Sequence, residues 1–216
     1  MPWPWESRAA LVDARFCARH TTTLTVTRSS SLRRHGFDVT DAATGAAVMQ
    51  VETSYFGHYR DLRTLLLLGA ASRHPLLFVE ESTSLIGMGR WEAFRGRCGR
   101  QTDRLFLAVD KASFFQVTTN VHVFLDGNSS GQGAPDLAVH GSYYHGAMTV
   151  SCGGAAVAQM DRKKNTFWGA LCGERAYNVR VNPGVDQAFV VALTVVLDQM
   201  HNPDYDSRSS SSGHKK

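Results

Sequence analysis

NPGVDQAFVVALTVVLDQM, residues 182–200, carries an apolar run from Ala188 to Leu197 that only Thr194 interrupts. Wound as a helix, it places Phe189, Leu193, Val196 and Met200 on one side. Ala188, Val190, Val191, Ala192, Val195 and Leu197 cover the others. A helix with no polar face has to be buried all round. A membrane span needs about 20 apolar residues; this run is shorter and is bracketed by Asp186-Gln187 and Asp198-Gln199. Residues 185–200 would form a rod of about 24 Å, comparable to the height of a small barrel. The valines also suit a buried strand, but the length and the Pro183-Gly184 entry favour helix. Either Asn182 caps it with Pro183 in the first turn, or the helix begins one turn later with Asp186 near its positive end. Asn202-Pro203 marks its far end.

Something must enclose that rod, and nearly everything upstream reads as short strands. Thr22–Val26 is rich in β-branched residues, and Phe37–Thr40 alternates apolar with polar. Arg63–Leu68 and Pro75–Val79 flank a turn at Gly69–Ser72. Arg90–Arg95, Leu105–Val109, Phe115–Thr118, Val121–Leu125, Ala138–Tyr143, Phe167–Leu171 and Ala176–Val181 continue the series. Many short strands with frequent turns predict an all-β sandwich or barrel.

One phrase occurs twice, as GAAVMQV at 45–51 and GAAVAQM at 154–160. Each copy follows a strand and a glycine turn, so a hairpin is written twice. Alternation puts Ala47, Met49 and Val51 on one face, and Ala156, Ala158 and Met160 on the equivalent face. Two readings stay open: duplication into two weakly repeated halves, or a shared demand for glycine to turn and alanine to admit the helix.

The bulk figures suit one medium domain. The chain has 216 residues, 43% of them hydrophobic, with a formal charge of +4. That excess is too mild for a dedicated nucleic-acid binder but favours acidic partners, including anionic lipid. Cys17, Cys98, Cys152 and Cys172 lie far apart with no C-x-x-C pair, which fits reduced thiols rather than a zinc site or disulfide scaffold. MPWPWESRAA has no basic segment leading into an apolar run, so no secretory signal is expected, and a cytoplasmic location, peripheral at the membrane or nuclear, follows. The expected organisation is a loose segment at 1–10, though Trp3 and Trp5 could dock. One domain follows at 11–203 with an exposed loop at 126–136, and then a disordered serine-rich tail at 204–216.

Asn182–Met200 resembles the closing signature of the plant LURP-one-related family. Phe16-Cys17-Ala18 resembles its opening element, Arg90-Trp91-Glu92-Ala93-Phe94-Arg95-Gly96 its central W-x-x-F/Y-R-G strand, and Val139-His140-Gly141-Ser142-Tyr143-Tyr144 the strand opening its second half. The resemblance spans residues 11–201. It implies a fold like the tubby C-terminal domain and the phospholipid scramblases: a closed antiparallel β-barrel of about twelve strands around a central, buried, hydrophobic C-terminal helix. A closed barrel has no open edges. Three features depart from the family: Glu80-Glu81 where basic residues are usual, Thr21-Thr22 in place of Pro-Val, and the long 126–136 loop.

No catalytic constellation is legible. Nucleophile-elbow, H-E-x-x-H, Walker A and G-x-G-x-x-G patterns are all absent. The histidines are scattered without metal-ligand spacing, and a barrel filled by its helix leaves no substrate cavity. The expectation is a non-enzymatic, monomeric module without metal or cofactor. Two basic groups remain: Arg162-Lys163-Lys164 directly after the second phrase, and Arg95 with Arg97, which two residues apart on a strand share a face and could address one phosphate-bearing ligand. Solvated charge at turns is the plain alternative. The resemblance implies phosphoinositide or membrane-surface binding at these residues, in defence-related plant signalling. A protein-interaction module without a lipid site is the competing expectation. Scramblase-like lipid transport finds no support in a chain with no span.

Overall fold

The computed structural model describes residues 10–29, 36–56, 62–82, 89–97, 103–110, 118–128, 133–143, 145–163 and 175–201. Twelve strands follow one another: β1 (Thr22–Ser29), β2 (Gly36–Asp41), β3 (Ala47–Phe56), β4 (Leu62–Gly69), β5 (Pro75–Ser82), β6 (Arg90–Arg95), β7 (Arg104–Asp110), β8 (Thr119–Leu125), β9 (Leu137–Ser142), β10 (Ala147–Cys152), β11 (Ala155–Arg162) and β12 (Ala176–Val181). Each pairs antiparallel with its chain neighbours, and β1 pairs with β12, so the sheet closes on itself. The expected strand at Phe167–Leu171 lies outside the described residues, as does most of that at Phe115–Thr118.

Helix α1 (Gln187–His201) is the expected rod, buried along its whole course from Gln187 to Gln199. It starts one turn after Asn182, and Asp186 is its cap. Burial on every side of a helix is what a closed barrel around it supplies. The alternate positions of each strand that face inward, such as Leu24 and Val26, Leu77 and Val79, or Val179 and Val181, are essentially inaccessible. Phe106 meets Phe189 edge to face, ring centroids 5.2 Å apart. Thr194, the one polar residue in the run, donates its hydroxyl to the Val190 carbonyl at 2.8 Å and so costs the interior no unpaired group.

The helix N-terminus is tied to the start of the domain through one carboxylate. Asp186 Oδ1 accepts from the amides of Ala188 (2.9 Å) and Phe189 (3.3 Å), satisfying donors that the first helical turn leaves open. Its Oδ2 accepts from the amides of Val12 (2.7 Å) and Asp13 (3.0 Å). A 3-10 turn at Ala14–Phe16 then leads to Cys17, which bridges to Asp186.

The repeated phrase has a local cause. In both copies the register shifts at the fourth residue: Val39 faces Met49 and Thr40 faces Ala47, while Val150 faces Ala158 and Ser151 faces Ala156. Val48 and Val157 are thus the extra residues of matching β-bulges beside a glycine turn. The bulge overturns the simple alternation: Ala47 and Ala156 are exposed, and of the phrase's alanines only Ala158 is buried. The copies occupy β3 and β11, whereas two six-strand halves would have put the second in β9. A shared turn and bulge accounts for the phrase.

Val191→Asp would place a charge where nothing can solvate it and is expected to abolish the folded barrel; Leu193→Ala, which leaves a cavity, should cost about 2–5 kcal/mol in urea unfolding. A folded, unperturbed Val191→Asp protein by circular dichroism and thermal melting would contradict the enclosed helix.

Candidate functional site

At the other end of α1 the inward-facing lanes change character. Beyond Leu24 and Val26 comes Arg28; beyond Leu67 and Leu65, Arg63; beyond Leu77 and Val79, Glu81. Thr119, Arg162 and Tyr177 end other lanes the same way. A helix C-terminus leaves carbonyls open and favours cations nearby, and this polar collar meets both needs. Arg63 donates Nη1 to the Gln199 carbonyl, pairs with Glu81 through two bonds of 2.8 and 2.7 Å, and lies over the Trp91 ring at 5.2 Å. The acidic Glu81 that departs from the family pattern is thereby held by an arginine inside the barrel mouth.

The centre of the collar is Asp198, fully buried on the last turns of α1. Its Oδ1 accepts from the hydroxyls of Tyr177 and Tyr143, the latter at 3.2 Å, and those two hydroxyls lie 2.8 Å apart. Arg175 supplies the counter-charge, Nη1 to Oδ1 at 3.3 Å. Burial pushes the Asp198 carboxyl above the usual carboxylate range, against the pull of the Tyr177 hydroxyl, of Arg28, of Tyr143 and of Arg162. The Tyr177 phenol is pushed above its ordinary value by burial first and by the Asp198 charge second.

Around this centre, the His201 ring stacks on Tyr143 at 4.5 Å and its Nε2 lies 3.2 Å from Thr119 Oγ1. The Arg162 guanidinium also lies over the Tyr143 ring, 5.9 Å from its centroid. Arg162 and Lys163 themselves are exposed. The Lys163 ammonium donates to Thr25 Oγ1 at 3.2 Å, and neither head group forms an ion pair with a carboxylate among the described residues. The arrangement is a carboxylate locked by two phenols and an arginine, with a basic lip above it. Among the described residues no group of three His, Cys, Asp or Glu side chains could hold a metal.

The structure separates the two basic groups read from the sequence. Arg95 closes β6 at the end where α1 begins, its Nη1 and Nη2 donating to the carbonyls of Val12 (2.7 Å) and Leu11 (3.1 Å). Arg97 does not share its strand face, because β6 ends at Arg95. Gly96 turns the chain at φ +84°, a left-handed conformation that suits glycine, and Arg97 is exposed in that turn. Arg162 and Lys163 stand at the opposite end, about 22 Å away along a helix of this length; Lys164 lies outside the described residues. Sequence reading overlooked Arg28, Tyr143, Tyr177 and Asp198 as one cluster. The signal available was a polar residue two steps beyond an apolar lane, repeated on several strands.

Tyr177→Phe should cost about 1.5–3 kcal/mol in urea unfolding, the worth of a hydrogen bond to a charged acceptor. Burial holds the His201 imidazole below its ordinary value, outweighing the charges of Asp110 and Asp198. The unfolded chain therefore takes the proton first. This contribution to stability is complete above about pH 6.5 and is lost as pH falls through the lower folded value. His201→Gln should flatten the fall in melting temperature as pH drops below about 6.5, relative to the parent.

No solved structure matches the chain. Curated plant proteins do: LURP-one-related 15 of Arabidopsis thaliana is 32% identical over 203 residues, covering 92% of this chain and 89% of its own length. LURP-one-related 10 is 32% identical over 199 residues, covering 90% and 98%, and LURP-one-related 1 is 28% identical over 198 residues, covering 91% and 85%. With residues 22–198 matching the family as a whole, the twelve-stranded barrel and its enclosed helix have a lineage: the chain belongs to the LURP-one-related family.

Proposed function

We propose that this barrel is a non-enzymatic docking module for anionic phospholipid surfaces, phosphoinositide-bearing ones included, in defence-related plant signalling. It engages the membrane through the lip at the C-terminal end of α1. The observation that supports this is the placement of Arg162 and Lys163: exposed, adjacent at the end of β11, and without a carboxylate ion pair among the described residues. Arg28 and Arg175 add positive charge to the same mouth, around the buried carboxylate of Asp198. Lys164 follows in sequence and extends the basic run.

Each Lys or Arg near an anionic leaflet is worth roughly 1 kcal/mol, which suits reversible docking. No helix among the described residues is long and apolar enough to cross a membrane, so attachment through this lip would be peripheral. Arg95 is excluded from the proposed surface, because its guanidinium is spent on the Leu11 and Val12 carbonyls.

Co-sedimentation with phosphatidylcholine vesicles, with and without phosphatidylinositol bisphosphate, tests the reading. The parent should bind the anionic vesicles and release them as salt rises. Reversing the lip with Arg162→Glu/Lys163→Glu/Lys164→Glu should weaken binding more than tenfold, whereas Arg97→Glu, at the far end of the barrel, should leave it unchanged. Binding that survives the triple reversal would move the site elsewhere. Absence of binding to any anionic vesicle would favour a protein-interaction module instead.

A further inference from the structure

Two arginines of the barrel, Arg63 and Arg90, are held by hydrogen bonds: Arg63 to Glu81 and the Gln199 carbonyl, Arg90 to Glu92. Arg175 is different. It is only 7% exposed, yet its buried Nη1 has no hydrogen-bond partner among the described residues. Its 3.3 Å approach to Asp198 Oδ1 is an ion pair too poorly aligned to be a hydrogen bond. A buried guanidinium with an open donor is costly, because that donor gave up water on folding.

Strand register brings two more arginines to it. The pairing of β1 with β12 continues past Thr27 and Ala176 through a 2.7 Å bond from the Arg28 amide to the Arg175 carbonyl. Arg28 and Arg175 therefore stand opposite each other. Side chains so placed share a face with Cβ atoms about 5 Å apart, and like charges there repel. On the other side of β12, Arg162 pairs with Tyr177, the next residue of the lane that Arg175 ends. Three arginines thus face one mouth from β11, β1 and the entry to β12. They are graded in depth: Arg162 exposed, Arg28 half-buried, Arg175 buried. Asp198 is the carboxylate they act on. Its Oδ1 already takes the Tyr143 and Tyr177 hydroxyls, and burial works against its charge. Arg162 and Arg175 alone exceed what one carboxylate neutralises, and Arg28 adds a third cation.

We propose that Arg28, Arg162 and Arg175 form an anion recess in the mouth of the barrel, behind the lip, that takes a phosphomonoester group. Planar guanidinium forks match phosphate oxygens. A phosphomonoester brings three acceptor oxygens and roughly −1.5 to −2 charges at pH 7. A phosphodiester has less charge and fewer free oxygens, so it fits the recess less well. The bound group lies between the guanidinium planes, offsets the repulsion of Arg28 and Arg175, and offers an acceptor to the open Nη1. The recess goes beyond the electrostatic lip, because it selects by hydrogen bonding and shape. It can be filled by a soluble phosphate or by a lipid headgroup, and so does not depend on the membrane reading.

Calorimetric titration of the full chain at fixed ionic strength tests the recess, with inorganic phosphate, inositol trisphosphate and the diester glycerophosphoinositol as probes. The trisphosphate should bind, inorganic phosphate more weakly, and the diester at least tenfold more weakly than the trisphosphate. Arg175→Gln and Arg28→Gln should each weaken trisphosphate binding more than tenfold, while Arg97→Gln leaves it unchanged. If Arg175→Gln does not fold, the half-buried Arg28→Gln carries the comparison. Phosphatidylcholine vesicles with phosphatidylserine or phosphatidylinositol bisphosphate, matched in charge, then identify the source. A preference for bisphosphate vesicles that Arg28→Gln abolishes supports a recess filled from lipid. Trisphosphate binding without vesicle binding supports one filled from solution and removes the membrane reading alone. Equal binding to both vesicles with no soluble binding overturns the recess and leaves the lip standing. Phosphomonoester binding unchanged in Arg28→Gln, or no binding to any probe, overturns it as well.

Discussion

A helix with no polar face imposes its demand on the whole chain. α1 buries every residue from Gln187 to Gln199, and no single sheet or pair of layers can cover a rod from all directions. Only a wall that returns to its starting point can do so, which is why β1 pairs with β12. Closure also leaves no strand edge open to pairing with another chain. The inward lanes of small and medium apolar residues, from Val26 to Val179, are the complement of that rod.

Enclosure creates a second demand at each end of the helix, where backbone groups have no partner within the helix. The two ends meet it differently. At the start, Asp186 shares its carboxylate between helix amides and the amides of Val12 and Asp13, so capping and closure are one device. At the finish, arginines, tyrosines and a histidine turn inward over Asp198 and the last carbonyls. The polarity of the helix is thereby written onto the barrel. One rim is clasped by the chain's own backbone, and the other presents arginine and lysine to the outside.

The family residues quoted from the sequence each have a physical task once the strands are in place. Trp91 fills the interior beneath Arg63, Phe94 faces the outer wall, Arg95 holds the N-terminal segment, and Gly96 turns the chain. At Gly141 a Cβ would come within 2.3 Å of the Ala147 carbonyl oxygen, so that position has room only for glycine. The Val48 and Val157 bulges belong with these, a recurring local geometry that looks like an internal repeat when only the letters are visible. One short motif serves both sides of the wall because a strand offers its faces alternately, inward to the helix and outward.

By itself the sequence determined the element types, the all-round burial of the C-terminal helix, and hence the need for an enclosing sheet. These follow from apolar periodicity and length, which are local properties of the chain. Which charges would meet was decided only by the tertiary structure. Arg95 and Arg97 are two residues apart yet do not share a strand face, because β6 ends at Arg95, whereas Arg28, Tyr143, Arg162, Tyr177 and Asp198 are far apart and converge. Register and strand order place side chains at one rim or the other, and both depend on where every strand pairs.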